Sequence, residues 1–231
     1  MTFRQVYLPP FWQIETTAKR WQWQVAKSEF KPQEVSKGNA TWFANYWRSR
    51  LFHNIPDIKS RDYVFIPSQG RLLQQRSFQT ASPIQMIKST LQYSNKHQVI
   101  ASLHPQETYS TDEIAALDLL AEQNERFSWV TSGSDSLLAA CDYVVTQNSG
   151  QAFKGFFLQK PVLLFGNIDF HHIAAKTWEH GVQGSFDLVT RMQPEYDRYL
   201  FWFLREMSIH TGRDDTQKKI IDTFRRGGWP I

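Results

Sequence analysis

The residues able to hold an anion lie in four short polar runs, each directly after an apolar, strand-like segment. Ser68-Gln69-Gly70 follows "DYVFIP", and His104-Pro105-Gln106-Glu107 ends "HQVIASLHPQE". Gln147-Asn148-Ser149-Gly150 follows "DYVVT", and Gly166, Asn167, Asp169, His171 and His172 follow "PVLLF". The Asn-Ser-Gly run stands where a helix should begin. A helix start leaves backbone N–H groups unpaired and carries partial positive charge. Gly150 lets a ligand approach the backbone and Ser149 adds a hydroxyl donor, the chemistry of a phosphate cradle. The same three residues also read as a plain helix cap. His104 ends a strand, and Pro105 turns the chain out of the sheet. An imidazole there can hydrogen-bond a phosphate oxygen or protonate a departing phosphate, or it can be satisfied by backbone carbonyls.

Other motifs say less. His171 and His172 are adjacent, so their side chains diverge, and no third ligand sits at ordinary spacing; no metal site is expected. The two Asp of "HTGRDD" (210–215) fit the first turn of a last helix. The chain has no P-loop, G-x-S-x-G, H-E-x-x-H or paired-Cys motif. "KTWEH" and the Trp- and Lys-rich N-terminus match no nucleic-acid module, so no nucleic-acid partner is expected.

The elements that must position these runs alternate regularly from residue 60 onward. Strands are expected at "DYVFIP" (62–67), "HQVIASLHP" (97–105), "RFSWVT", "DYVVT" and "PVLLF". Between them come a helix capped by Ser82 with Pro83 at its first position, a helix with a Ser110–Glu113 capping box, and the short helices "SDSLLAAC" and "QAFKGFFLQ". Strands alternating with helices predict an α/β fold: one Rossmann-like parallel sheet covered by helices on both faces. In such a sheet ligands bind beyond the carboxyl ends of the strands, so the polar runs should converge on one edge. Residues 1–60 read as an aromatic-rich N-terminal extension. Their "TWFANYWRSRLF" suits an amphipathic helix, while "WQWQV" alternates like a strand inside helical surroundings. Residues 61–231 form the expected Rossmann-like domain, closed by two C-terminal helices with Gly227-Gly228 as a stop.

With 231 residues the chain can bury a sizeable core, and 41% hydrophobic with 21% charged residues is a globular composition. No run is long and apolar enough to span a bilayer, and the N-terminus lacks a secretory signal pattern. The single cysteine, Cys141, excludes an internal disulfide and a cysteine-based metal site. A cytoplasmic protein is expected. The net charge of +4 suits an anionic ligand or surface without selecting one.

The segment "VFIPSQG … SPIQMIKSTL … VIASLHPQE … FSWVTSGSDSLLAACDYVVTQNSGQAFKGFFLQKPVLLFG" resembles the capsule polysaccharide biosynthesis protein family over roughly residues 62 to 180. That family includes Kdo transferases and is similar in fold to the C-terminal half of GT-B glycosyltransferases. The resemblance implies a metal-independent glycosyltransferase of capsular or surface polysaccharide synthesis, with CMP-Kdo as donor substrate, no cofactor, and a lipid or saccharide acceptor. It implies that His104 contacts or protonates the CMP phosphate, with Pro105 and Glu107 beside it. Asn148, Ser149 and the Gly150 amide would bind that phosphate, Gln69 would sit at the sugar or phosphate side of the cleft, and Ser68 would belong to the same substrate-binding set. The alternative is a module that binds a nucleotide sugar or saccharide without transferring it, with a partner protein or as a homo-oligomer. A peripheral place at the inner face of the inner membrane fits either. Two positions depart from the family pattern: "QGRLLQQRSF" has no acidic residue, and the helix after the Asn-Ser turn carries Lys154.

Overall fold

The computed structural model describes residues 1–53, 61–95 and 97–229. The chain opens on an antiparallel hairpin, β1 (Thr2–Gln5) and β2 (Phe11–Glu15). The alternating "WQWQV" is not a strand. A 3-10 turn (Arg20–Gln22) leads into the short helix α1 (Gln24–Lys27), because Trp23 is fully buried and its indole N–H donates to the Thr17 carbonyl at 2.9 Å. One anchored side chain outweighs the alternation. Helix α2 (Lys37–Leu51) buries Ala40, Phe43 and Ala44 and leaves Trp42 exposed.

The alternation expected from residue 60 then follows: β3 (Tyr63–Pro67), α3 (Pro83–Tyr93), β4 (Gln98–Ser102), α4 (Thr111–Gln123), β5 (Phe127–Val130), α5 (Ser134–Ala140), β6 (Tyr143–Thr146), α6 (Gly150–Phe157) and β7 (Val162–Leu164). Both α3 and α4 start with complete capping boxes, Ser82 with Gln85 and Ser110 with Glu113. A two-residue strand, β8 (Ala175–Lys176), follows and is too short for any periodicity to announce. Helix α7 (Thr177–Val189) is two helical pieces meeting at Gly181, whose φ of 66° suits glycine. Helix α8 (Tyr196–Leu200) runs on through a π-helical turn (Phe201–Glu206) to β9 (Ile209–His210), which pairs with β2. Helix α9 (Thr216–Arg226) closes the described chain, with Gly227 at its C-cap.

The main sheet has six parallel strands in the order β5-β4-β3-β6-β7-β8. The chain starts in the middle at β3, steps outward through β4 to β5, then crosses back to β6. The order therefore reverses between β3 and β6, and loops leave those neighbours in opposite directions, opening a crevice between them. Strand β3 shows why both faces are covered. Tyr63 and Phe65 join one apolar core with α2, α5, α6 and α8, while Val64 and Ile66 join another with α3, α4 and α7. The boundary expected at residue 60 lies outside the described residues. On either side of it the chain shares a core: Phe11, Trp23 and Phe43 pack in the same cluster as Phe65, Phe153 and Phe203. Each fully buried ring contributes roughly 2–3 kcal/mol by removal from water.

Candidate functional site

A cleft of about 570 Å³ opens at the carboxyl ends of β3, β4, β5 and β6, over the crevice between β3 and β6. Backbone and hydroxyl bonds stitch its floor. The Ser68 N–H donates to the Ser102 carbonyl at 2.8 Å, and the Leu103 N–H donates to Val130 at 2.9 Å, so the ends of β3, β4 and β5 are held level. The Thr146 hydroxyl donates to the Pro67 carbonyl at 3.2 Å and accepts from the Ser149 N–H at 3.3 Å. One threonine thus ties the Asn-Ser-Gly turn to the end of β3.

Ser149 is the N-cap of α6. Its hydroxyl oxygen accepts from the Gln151 N–H at 3.3 Å, while its hydroxyl proton has no protein acceptor among the described residues. It can cap the helix and still donate into the cleft. His104 is exposed and lines the same cleft. Its Nδ1 accepts from the Gln106 N–H at 3.2 Å, which places the proton of the neutral ring on Nε2. The Tyr109 hydroxyl accepts from the His104 N–H at 2.8 Å and fixes the turn. His104 and Ser149 therefore face one cleft, each with a donor to offer.

Of the other residues singled out in the sequence, Ser68, Gln69, Pro105 and Gly150 line this cleft. Asn148 and Glu107 do not. The Asn148 Oδ1 is buried beside the turn without a hydrogen-bond partner among the described residues, as are Ser68 Oγ and Gln151 Oε1. Asn148 and Gln151 flank the Asn-Ser-Gly turn, while Ser68 stands at the end of β3. Glu107 lies outside the cleft against Gly70, where a Cβ would sit 2.5 Å from its carboxylate oxygen. Beside Gly150 lies the Tyr7 ring, 3.4 Å from where a Cβ would stand.

The fourth polar run is drawn away from the cleft. Asp169 is fully buried, accepts from the Tyr7 hydroxyl, and pairs with Arg20 at 3.0 Å, whose guanidinium also lies 4.2 Å over the Tyr7 ring. This cluster fixes Tyr7 as a wall of the cleft. His172 is spent on structure: Nδ1 meets the Tyr199 hydroxyl and Nε2 the Ser28 carbonyl, both at 3.0 Å, and burial pulls its pKa down to about 4. What sequence reasoning missed is the loop after β5. Thr131 to Ser136, "TSGSDS", lines the cleft, turned by Gly133 in the left-handed region, with Ser134 Oγ donating to Ser102 Oγ at 3.2 Å. The strand-end rule applied to "RFSWVT" would have found it. Tyr7 and Lys154 also line the cleft. No sequence signal points to Tyr7, which arrives from the hairpin.

No family model matches the chain, and no curated protein matches it. Solved structures do. KpsC of Thermosulfurimonas dismutans, a beta Kdo 2,7 transferase, superposes with a TM-score of 0.50 at 11% identity, over 83% of this chain and 63% of that one. The wall teichoic acid polymerase TagF aligns over 82% of this chain and 48% of its own at 15% identity, with a TM-score of 0.40, too loose to add to the fold. The chain thus spans less than two thirds of the length of either protein. At these identities the likeness is one of fold: a Rossmann-like parallel sheet with helices around it.

Proposed function

We propose that this chain is a glycosyltransferase-like protein of capsular or surface polysaccharide biosynthesis. Its cleft takes a nucleotide-activated sugar, CMP-Kdo, and passes the sugar to a lipid or saccharide acceptor. The observation that carries the reading is the meeting of His104 and the Ser149-Gly150 helix start on one cleft, at the switch point of a parallel sheet. The sugar is named because KpsC, which shares the fold, is a Kdo transferase.

In the transfer, the bond from the anomeric carbon to the phosphate oxygen breaks, and its electron pair stays on the phosphate. The acceptor hydroxyl oxygen bonds the anomeric carbon and releases its proton to solvent at the cleft mouth. The growing charge on CMP is met by His104 Nε2–H, the Ser149 hydroxyl and the first-turn N–H groups of α6. Because Thr146, Gln106 and Tyr109 hold these donors in place beforehand, they stabilise the transition state without reorganising. Among the described residues Asp135 is the one carboxylate lining the cleft, so the donor set is one of hydroxyls, imidazole and cation, and the proposal needs no metal ion.

That lone carboxylate also favours a second reading, in which the chain binds a nucleotide sugar for a partner protein and transfers nothing. Under either reading the protein works in the cytoplasm, peripheral to the inner face of the inner membrane; no helix among the described residues is long and apolar enough to cross a membrane. Calorimetric titration with CMP and CMP-sugars against UDP, GDP and NAD tests the cleft, and CMP compounds should bind preferentially. His104→Ala should lower transfer by about a hundredfold or more under the first reading, and should weaken binding alone under the second. If CMP and CMP-sugars release no heat and shift no melting temperature, the donor assignment is wrong.

A further inference from the structure

We propose that Lys154 reads the negative charge of the ligand in this cleft and that Asp135 tunes it, so that the cleft selects phosphorylated ligands, nucleotides among them, over their uncharged counterparts. The inference rests on the cleft being the ligand site proposed above, and not on the identity of the sugar.

Lys154 stands four residues after Gly150 in α6, one turn on and on the same side. The apolar side of that helix faces inward: Ala152, Phe153, Phe156 and Phe157 are fully buried. Lys154 is the only charged residue in α6 and, among the described residues, the only permanent cation lining the cleft, as Asp135 is its only anion. Their atoms stand 3.7 Å apart, with side chains 30% and 49% exposed. That separation is longer than a hydrogen bond. The Asp135 Oδ1 indeed has no hydrogen-bond partner among the described residues. A loose pair of this kind leaves the ammonium donors free for a stronger acceptor, and a phosphate is one. The carboxylate attracts the ammonium and repels the incoming anion, so it weakens anion binding twice over. Ser149 and His104 on the same cleft complete an anion-binding wall of three different donors.

Inorganic pyrophosphate is the primary probe, because it carries charge without a base or sugar; CMP, CMP-Kdo and cytidine follow. Lys154→Gln should weaken pyrophosphate and CMP by about tenfold or more, while Lys154→Arg retains most of the affinity. Asp135→Asn should tighten both several-fold, the opposite of what a merely structural ion pair predicts. Cytidine should bind all variants alike. Part-exposed pairs contribute little to stability, so the variants should keep near wild-type melting temperatures. If Lys154→Gln binds pyrophosphate as the wild type does, if Asp135→Asn weakens it, or if the wild type does not bind it, the proposal falls. If pyrophosphate binds through Lys154 and CMP-Kdo does not bind, the charge-reading site stands and the glycosyl-donor reading falls.

Discussion

Replacing Ser149 in three ways separates its two roles, helix cap and phosphate donor. Ser149→Ala removes both. The lost bond to the Gln151 N–H should cost about 1 kcal/mol of stability, and the lost hydroxyl should weaken nucleotide binding by about tenfold. Ser149→Asn keeps a good cap of similar reach and adds bulk without charge. Ser149→Asp keeps the cap and adds a carboxylate at the helix start, where it favours the helix dipole. Against a bound phosphate that carboxylate is a like charge. At about 4 Å and an effective dielectric of about 20, the repulsion is about 4 kcal/mol per unit charge, on the order of a thousandfold in Kd. Since Ser149 is only 5% exposed, the asparagine variant carries the steric cost of the larger side chain and calibrates it. Chemical denaturation gives the stability of each variant and calorimetry with CMP gives the affinity. The expected order of affinity is Ser, Asn, Ala, Asp, with the aspartate variant at least as stable as the alanine one. An aspartate variant that binds CMP as tightly as its asparagine counterpart would refute a phosphate at this turn and leave Ser149 a cap.

Two further outcomes follow from the buried polar groups. His172 is held neutral, so its protonation midpoint falls from about 6.5 in the unfolded chain to about 4 in the fold. The unfolded state then binds more protons between these values, so stability should decline as pH falls from 6.5 toward 4, by about 3 kcal/mol in all; His172→Gln should flatten that part of the denaturation profile. Tyr7→Phe keeps the ring that walls the cleft but removes a donor from fully buried Asp169. It should lose about 1–3 kcal/mol of stability with CMP affinity unchanged, and a large loss of affinity at normal stability would show that the hydroxyl serves the ligand instead.

The sheet was legible because its signals are local. Strands such as "DYVFIP" are buried on both faces and so read as continuous apolar runs, and Ser82 and Ser110 announce the helices that follow. Once the fold is a parallel α/β sheet, the strand-end rule alone places His104 and Ser149 near one edge. Nothing local announces β9, because a two-residue pairing takes its stability from a partner distant in sequence: β9 joins β2 across about two hundred residues. The same distance hides Tyr7, whose place beside Gly150 depends on Asp169 and Arg20 meeting behind it. The sequence by itself determined which loops could hold a phosphate. Tertiary structure decided which of them reach the cleft. It drew Asp169 into a buried ion pair and His172 onto two structural hydrogen bonds, turned Glu107 outward beside Gly70, and brought "TSGSDS" and Lys154 in. Burial decides this, because a charged or polar group taken from water must find a partner inside, and only the packed chain determines which partner is within reach.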